Sequence, residues 1–117
     1  MKMFTIETKS DKVCLQAVDK DHAFAQYFLD VVEAKVPLEK IGNLIMLSDG
    51  KEEYPFRTVP LLWKMNVLTT KNAVDNLVSI LGIGRNEARK MLKEAGDKDA
   101  RLVPIMDELK LKQEVKA

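Results

Sequence analysis

The chain has very little cysteine: Cys14 is the only one among 117 residues, so no disulfide can form within it. This usage fits a protein that folds in a reducing cytoplasm. No apolar run approaches the roughly 18 residues that a membrane-spanning helix needs. The first twelve residues also turn polar too early for a secretory signal. We therefore expect a soluble cytoplasmic protein without a membrane partner.

A large excess of charge is missing as well. The net charge is +1, which argues against a chain that coats nucleic acid by bulk charge. The charges are unevenly distributed, however. Residues 1–57 carry 8 Lys/Arg and 10 Asp/Glu, a net −2, whereas residues 58–117 carry 11 and 8, a net +3. An anionic partner is therefore expected at the second half.

Motifs for catalysis are scarce. The chain has no phosphate-binding loop, no dinucleotide fingerprint and no Cys/His set with metal spacing. Asp19, Asp21 and the single histidine, His22, could form a metal site or an acid–base pair, but caps at a helix N-terminus explain them better. Cys14 has no matching base, which favours a small half-buried thiol. We expect no enzyme, no metal and no cofactor.

The first half alternates between strand and helix patterns. Apolar residues alternate in "MFTIETK" (3–9) and in "VCLQAV" (13–18), which predicts a β-hairpin. Helical spacing follows in 19–35, with Asp19 or Asp21 as the N-cap. A second hairpin is predicted in 41–58, with Asp49-Gly50 in its turn. Pro55 in its second strand indicates a sheet edge.

Helical patterns fill the second half. The segment 60–68 can form a short helix with Pro60 at its first position. Thr69 or Thr70 can cap the next helix, which ends at a left-handed Gly82. The third helix is predicted to stop at Gly96.

A fourth helix is predicted to start at Asp97 or Asp99. Pro104 either kinks that helix or lies in its first turn. The sequence as a whole predicts an α+β fold, in which an N-terminal ββαββ antiparallel sheet with one covering helix (1–57) precedes a C-terminal bundle of three to four short helices (58–117). We expect the two parts to pack as one unit.

The helical hairpin at 71–95 carries the main functional signal. Its segment "NLVSILGIGRNEARKML" resembles a helix-turn-helix, with Gly82 at the turn and Ala88 and Met91 inward. The resemblance implies that the second helix enters a DNA groove. Its nucleic-acid contacts would then be Arg85, Asn86, Arg89, Lys90 and Lys93.

Two further resemblances overlap this segment. "ILGIGRNEA" (80–88) is similar to a helix-hairpin-helix, whose Gly-hydrophobic-Gly turn is formed here by Gly82 and Gly84. That likeness implies phosphate binding by backbone amides. Residues 73–109 resemble ubiquitin-associated modules and the related module of elongation factor Ts, which implies a protein partner. A purely structural bend between two packed helices stays open beside these alternatives.

A dense aromatic patch lies where the two halves join. Tyr54, Phe56, Arg57 and Trp63 could stack bases or form an interface with a partner. A structural role is the alternative, with Phe56 and Trp63 joining the sheet to the helices and Arg57 paired to an acid of its own hairpin. Our leading hypothesis is a small non-enzymatic module that binds DNA or RNA through the 71–95 hairpin. The alternative is a protein-interaction adaptor that uses the same helices.

Overall fold

The computed structural model describes the backbone of residues 1–116 and the side chains of residues 1–112. One antiparallel sheet has the strand order β2-β1-β3-β4. The strands are β1 (Lys2–Glu7), β2 (Lys12–Ala17), β3 (Leu44–Ser48) and β4 (Glu53–Arg57). The helices are α1 (Lys20–Glu33), α2 (Leu38–Ile41), α3 (Thr58–Lys64), α4 (Thr70–Leu81), α5 (Arg85–Asp99) and α6 (Leu102–Lys116). The predicted α+β class is confirmed.

The sheet buries one face and leaves most of the other uncovered. Its inner side chains, including Phe4, Ile6, Ile45 and Leu47, are buried because strand residues alternate between the two faces. Helix α1 covers this inner face. Phe24 of α1 stacks on Phe56 of β4 with 4.2 Å between ring centroids, so aromatic packing joins helix and sheet.

Side-chain caps define the start of α1. The Asp19 carboxylate accepts a hydrogen bond from the His22 N–H at 2.9 Å, so Asp19 is the N-cap.

In the second hairpin, Asp49 accepts from the Lys51 and Glu52 amides, and Gly50 has φ 91°. Strand β4 lies at the sheet edge, as Pro55 indicated.

The junction between the halves has no linker, since β4 runs directly into α3. The Thr58 N–H donates to the Asn43 carbonyl at 2.9 Å, and the Val59 N–H donates to the Asn43 side-chain oxygen at 3.2 Å. Asn43, which directly precedes β3, therefore caps α3. The helix begins at Thr58, earlier than Pro60 predicted, and Pro60 still lies in the first turn where its missing N–H costs nothing.

The predicted stop at Gly96 is wrong. Helix α5 continues to Asp99 because Gly96 packs against α3, where an added Cβ would lie 3.2 Å from the Trp63 ring. The start predicted for the fourth helix at Asp97 or Asp99 is therefore wrong too. Helix α6 begins at Leu102, which places Pro104 in its first turn.

The helices divide between two cores. Helices α3, α4 and α5 share a small core formed by Val59, Ala73, Val74, Leu77, Ala88 and Leu92. Helix α6 packs on α1 instead, with Leu102 and Met106 in the core beneath the sheet. The helices of the 73–109 segment therefore do not form a bundle of their own, because its third helix lies against α1.

Candidate functional site

The turn between α4 and α5 contains two glycines with different constraints. Gly82 is the C-cap of α4 at φ 66°, a left-handed conformation that favours glycine. Gly84 is the N-cap of α5 at φ −73°, which any residue can adopt. A Cβ at Gly84 would meet no atom within 4 Å. The left-handed backbone thus favours glycine at position 82, whereas at 84 no contact among the described residues requires it.

Helix α5 turns its predicted contact residues to solvent. All five are exposed, and they lie away from the buried Ala88 and Leu92: Arg85, Asn86, Arg89, Lys90 and Lys93. The Arg85 guanidinium pairs with the Asp75 carboxylate of α4 at 2.9 Å. This ion pair joins the two helices of the hairpin on either side of the turn.

Three of these cations form one line, which we call the basic ridge: Arg85, Arg89 and Lys93. They follow each other at four-residue spacing, so their Cα atoms are about 6 Å apart along the helix axis. Arg89 also donates a weak hydrogen bond to the Asn86 side chain at 3.4 Å. Within the part of the chain described, Arg89 and Lys93 form no ion pair, which leaves both charges available to an external anion.

The opposite flank of α5 borders a groove of about 500 Å³ between this helix and the uncovered face of β4. Its apolar lining includes Pro55, Met91 and Ala95, and its charged lining mixes both signs. Asp99 lies in this groove and is 3 % exposed. Burial raises the pKa of its carboxyl, while the Arg101 charge and the Arg57 N–H act in the opposite direction.

The predicted aromatic patch does not form one surface. Phe56 is 1 % exposed and stacks in the core, so its side chain is not available to a partner. Trp63 is half-buried, and its indole N–H donates to the Thr70 hydroxyl at 3.2 Å. Phe56 therefore has the joining role that was the structural alternative, whereas the contacts of Trp63 join α3 to α4 and α5.

The two polar members of that patch lie apart from those rings. The Tyr54 hydroxyl donates to Glu52 at 3.0 Å, and this hydrogen bond raises the pKa of Tyr54 to about 12. Arg57 lines the groove beside α5. Among the side chains of residues 1–112, Arg57 forms no salt bridge, so the expected pairing with an acid of its hairpin is absent there.

The residues considered for chemistry have structural partners. His22 lies 2.8 Å from Asp19, and Asp21 pairs at 3.3 Å with Arg101, in the turn between α5 and α6. The described residues contain no group of three or more His, Cys, Asp or Glu that could hold a metal ion. Cys14 is exposed rather than half-buried, because its sheet face is uncovered; its sulfur lies 3.6 Å from the Thr5 hydroxyl.

Sequence patterns missed Asp99. Its position in the polar run "GDKDA" suggested a solvated helix cap, and no local pattern could reveal that α5 would lie against β4.

A comparison with known proteins finds no matching protein-family model, no matching curated protein and no matching solved structure. In the described residues, every helix is too short or too polar to cross a bilayer.

Proposed function

We propose that this protein is a small non-enzymatic module that binds the phosphate backbone of DNA or RNA through α5 and the turn before it. The observation that carries the proposal is the basic ridge, which places Arg85, Arg89 and Lys93 in an exposed line beside the glycine turn. The ridge extends about 12 Å along the helix. That line of cations suits a regularly spaced row of phosphates.

The chemistry of the ridge suits phosphate. Arginine guanidinium groups bind phosphate oxygens through two parallel hydrogen bonds, and a lysine adds a compact point charge. The net charge of the chain is only +1, so binding depends on this local concentration of charge. An interaction of this kind is expected to be of modest affinity and sensitive to salt.

The turn adds a second group of donors. The N-cap of α5 is Gly84, which has no side chain to cap the first turn, and among the described residues no atom lies within 4 Å of where its Cβ would be. A phosphate could therefore approach the free amides at the helix N-terminus, where the helix dipole also favours an anion. The turn and the ridge are continuous, because Arg85 directly follows Gly84.

Contacts to bases are expected to be minor. The described aromatic side chains lie in the core, at the α3 junction or on the β3–β4 hairpin, so none is on the ridge to stack a base. Phosphate contacts position a protein on nucleic acid without reading sequence. We therefore propose binding with little dependence on sequence.

The test is a fluorescence anisotropy titration with labelled duplex DNA, duplex RNA and single-stranded DNA at several salt concentrations. Arg89 and Lys93, the two ridge cations without an ion pair in the described residues, predict that log K falls with log salt at a slope of about −2 on duplex DNA. Complete absence of salt-dependent binding to all three probes would contradict the proposal.

A matched pair of double variants locates the site. Arg89→Glu/Lys93→Glu should abolish binding, because it reverses two charges of the ridge. Lys51→Glu/Lys110→Glu makes the same charge change at exposed positions of the second hairpin and of α6, and should retain most of the binding. An equal loss in both variants would indicate a bulk-charge effect and exclude the ridge as the site.

The groove between β4 and α5 supports one other candidate, a protein-interaction adaptor. Its apolar lining beside a mixed set of charges suits a polypeptide better than a phosphate backbone. Met91→Glu would place a charge in this groove without altering the ridge. Loss of a salt-tolerant protein partner in Met91→Glu, with nucleic-acid binding absent, would favour the adaptor.

A further inference from the structure

The two edges of the sheet differ in how their backbone groups are satisfied. At β4, the Thr58 N–H donates to the Asn43 carbonyl, which continues the ladder between β3 and β4. Because antiparallel pairs alternate, the backbones of Phe56 and Tyr54 face β3, whereas those of Pro55 and Arg57 face outward.

This outer edge of β4 is closed to a further strand. Pro55 has no N–H to donate, and the Arg57 N–H faces the buried Asp99 carboxylate of α5. Helix α5 itself lies beside the strand. Proline, a buried acid and a covering helix are devices by which proteins prevent pairing at an edge strand.

Strand β2, at the other edge, has almost none of these devices. The Thr8 N–H donates to the Asp11 carbonyl at 2.9 Å and closes the first hairpin. By the same alternation, Val13 and Leu15 face β1, and the backbones of Lys12, Cys14 and Gln16 face outward.

The outward groups of β2 are largely free. The Lys12 N–H donates to the Asp11 carboxylate at 2.8 Å, which closes one end of the edge. In the described structure, no loop or helix forms a hydrogen bond with the outward amides of Cys14 and Gln16. The strand contains no proline and no glycine, and its single charge is at its first residue.

We propose that the β2 edges of two copies of this chain pair antiparallel about a two-fold axis at Cys14, which joins the two sheets into one. The two Cys14 residues then exchange both of their N–H···O bonds. Each Gln16 N–H donates to the Lys12 carbonyl of the other copy, for about four new hydrogen bonds in total. Isologous pairing of this kind satisfies both copies equally.

Side chains and charges select this register. On the inner face, Val13 of each copy lies opposite Leu15 of the other, which covers two half-buried apolar side chains in each copy. Within the strand, Lys12 of each copy lies opposite the uncharged Gln16 of the other, so no like charges face each other. With Lys12 on the axis instead, the two Lys12 residues would face each other, and the like charges would repel.

The first measurement is the mass of the wild-type chain by sedimentation equilibrium from micromolar to millimolar concentration, in reducing buffer and without nucleic acid. We expect a reversible approach to twice the 13.3 kDa of one chain. A monomer at every concentration would overturn the proposal. Nucleic-acid binding is not involved in this measurement, so its outcome is independent of the proposed function.

Two variants test the edge. Cys14→Pro removes an outward N–H that the pairing with β1 does not use, and Cys14→Lys places two like charges at the axis. Both should be monomeric, with an unchanged urea midpoint when measured at concentrations where the wild type is also monomeric. The control Met3→Lys adds the same charge to the same sheet face on β1 and should remain dimeric. A wild-type dimer that persists in Cys14→Lys would overturn the proposal.

A mild thiol oxidant tests the register. In the proposed pairing the two Cys14 Cα atoms are about 5.5 Å apart, within the range of a disulfide. Wild type should therefore cross-link rapidly. Cys14→Ser/Gln16→Cys should cross-link at least ten times more slowly. In the proposed register, position 16 of one copy lies opposite position 12 of the other, so the two new thiols are four residues apart along the strands. Faster cross-linking of that variant would exclude the proposed axis.

Discussion

Helices α1 and α5 have nearly the same length but are stabilised and used differently. Helix α1 begins at a side-chain cap and buries large residues against the sheet, among them Phe24 and Phe28. Helix α5 has no side-chain cap and buries small residues, such as Ala88 and Gly96, against its neighbours. Its outer surface is left to the basic ridge. The contrast indicates that α1 mainly supports the fold, whereas α5 has a buried face of mostly small residues and an exposed charged face.

The largest effect is expected in the core contact of α1. Phe24→Ala should lower the free energy of unfolding by about 3–5 kcal/mol, since the ring is fully buried and stacks on Phe56. Met91→Ala in α5 should lower it by about 1 kcal/mol or less, because Met91 is only half-buried beside the groove. Urea unfolding followed by circular dichroism measures both. Similar decreases in the free energy of unfolding for the two variants would contradict the proposed difference between α1 and α5.

The helix N-termini should respond to substitution in opposite directions. Asp19→Ala removes the cap that accepts the His22 N–H, and should cost about 1 kcal/mol. Gly84→Ser supplies a cap that α5 lacks, at a position with space for its Cβ, and should gain a few tenths of a kcal/mol. Thermal unfolding of both variants beside wild type measures the difference. A destabilised Gly84→Ser would show that glycine is needed there for the fold.

The smallest effect is expected in how the free energy of unfolding depends on pH. Asp19 at the start of α1 and Asp99 at the end of α5 should change it in opposite directions. The backbone hydrogen bond from His22 lowers the pKa of Asp19 below 3.8, so its stabilisation is present above that value and is lost as pH falls through the lowered pKa. Burial raises the pKa of Asp99 above 3.8, so its contribution is greatest below 3.8 and is lost as pH rises through the raised pKa.

Urea midpoints measured between pH 3 and pH 7 can separate these two groups. Asp19→Ala should weaken the loss of stability toward acid. Asp99→Asn should remove the part of the profile that declines as pH rises above 3.8, and at neutral pH it relieves the cost of a buried charge. A profile of Asp99→Asn that is parallel to wild type would contradict the role assigned to the buried carboxyl.

Local patterns in the sequence were sufficient for much of the architecture. Alternation of apolar residues predicted β1 and β2, and the Asp49-Gly50 turn predicted the second hairpin. Caps at Asp19, Thr69 and Gly82 set three helix ends. These features depend on neighbours within a few residues, which is why the sequence reveals them. The prediction failed at Gly96 because the helix continues there beside Trp63 of α3, a contact between residues far apart in the sequence that no local pattern reveals.

The candidate site divides in the same way. The exposure of Arg85, Arg89 and Lys93 follows from helical periodicity, so the sequence could predict the ridge. The sequence could not show that Phe56 is buried, that α6 packs on α1, or that Asp99 reaches the edge of β4. Those facts depend on which elements meet in three dimensions. By itself the sequence determined the two hairpins, the helix ends with local caps and the charged face of α5, since each follows from short-range periodicity, turn residues and capping. Only the tertiary structure decided which sheet edge is closed and which stays open, because closure of an edge depends on a distant helix bringing its side chains to that strand.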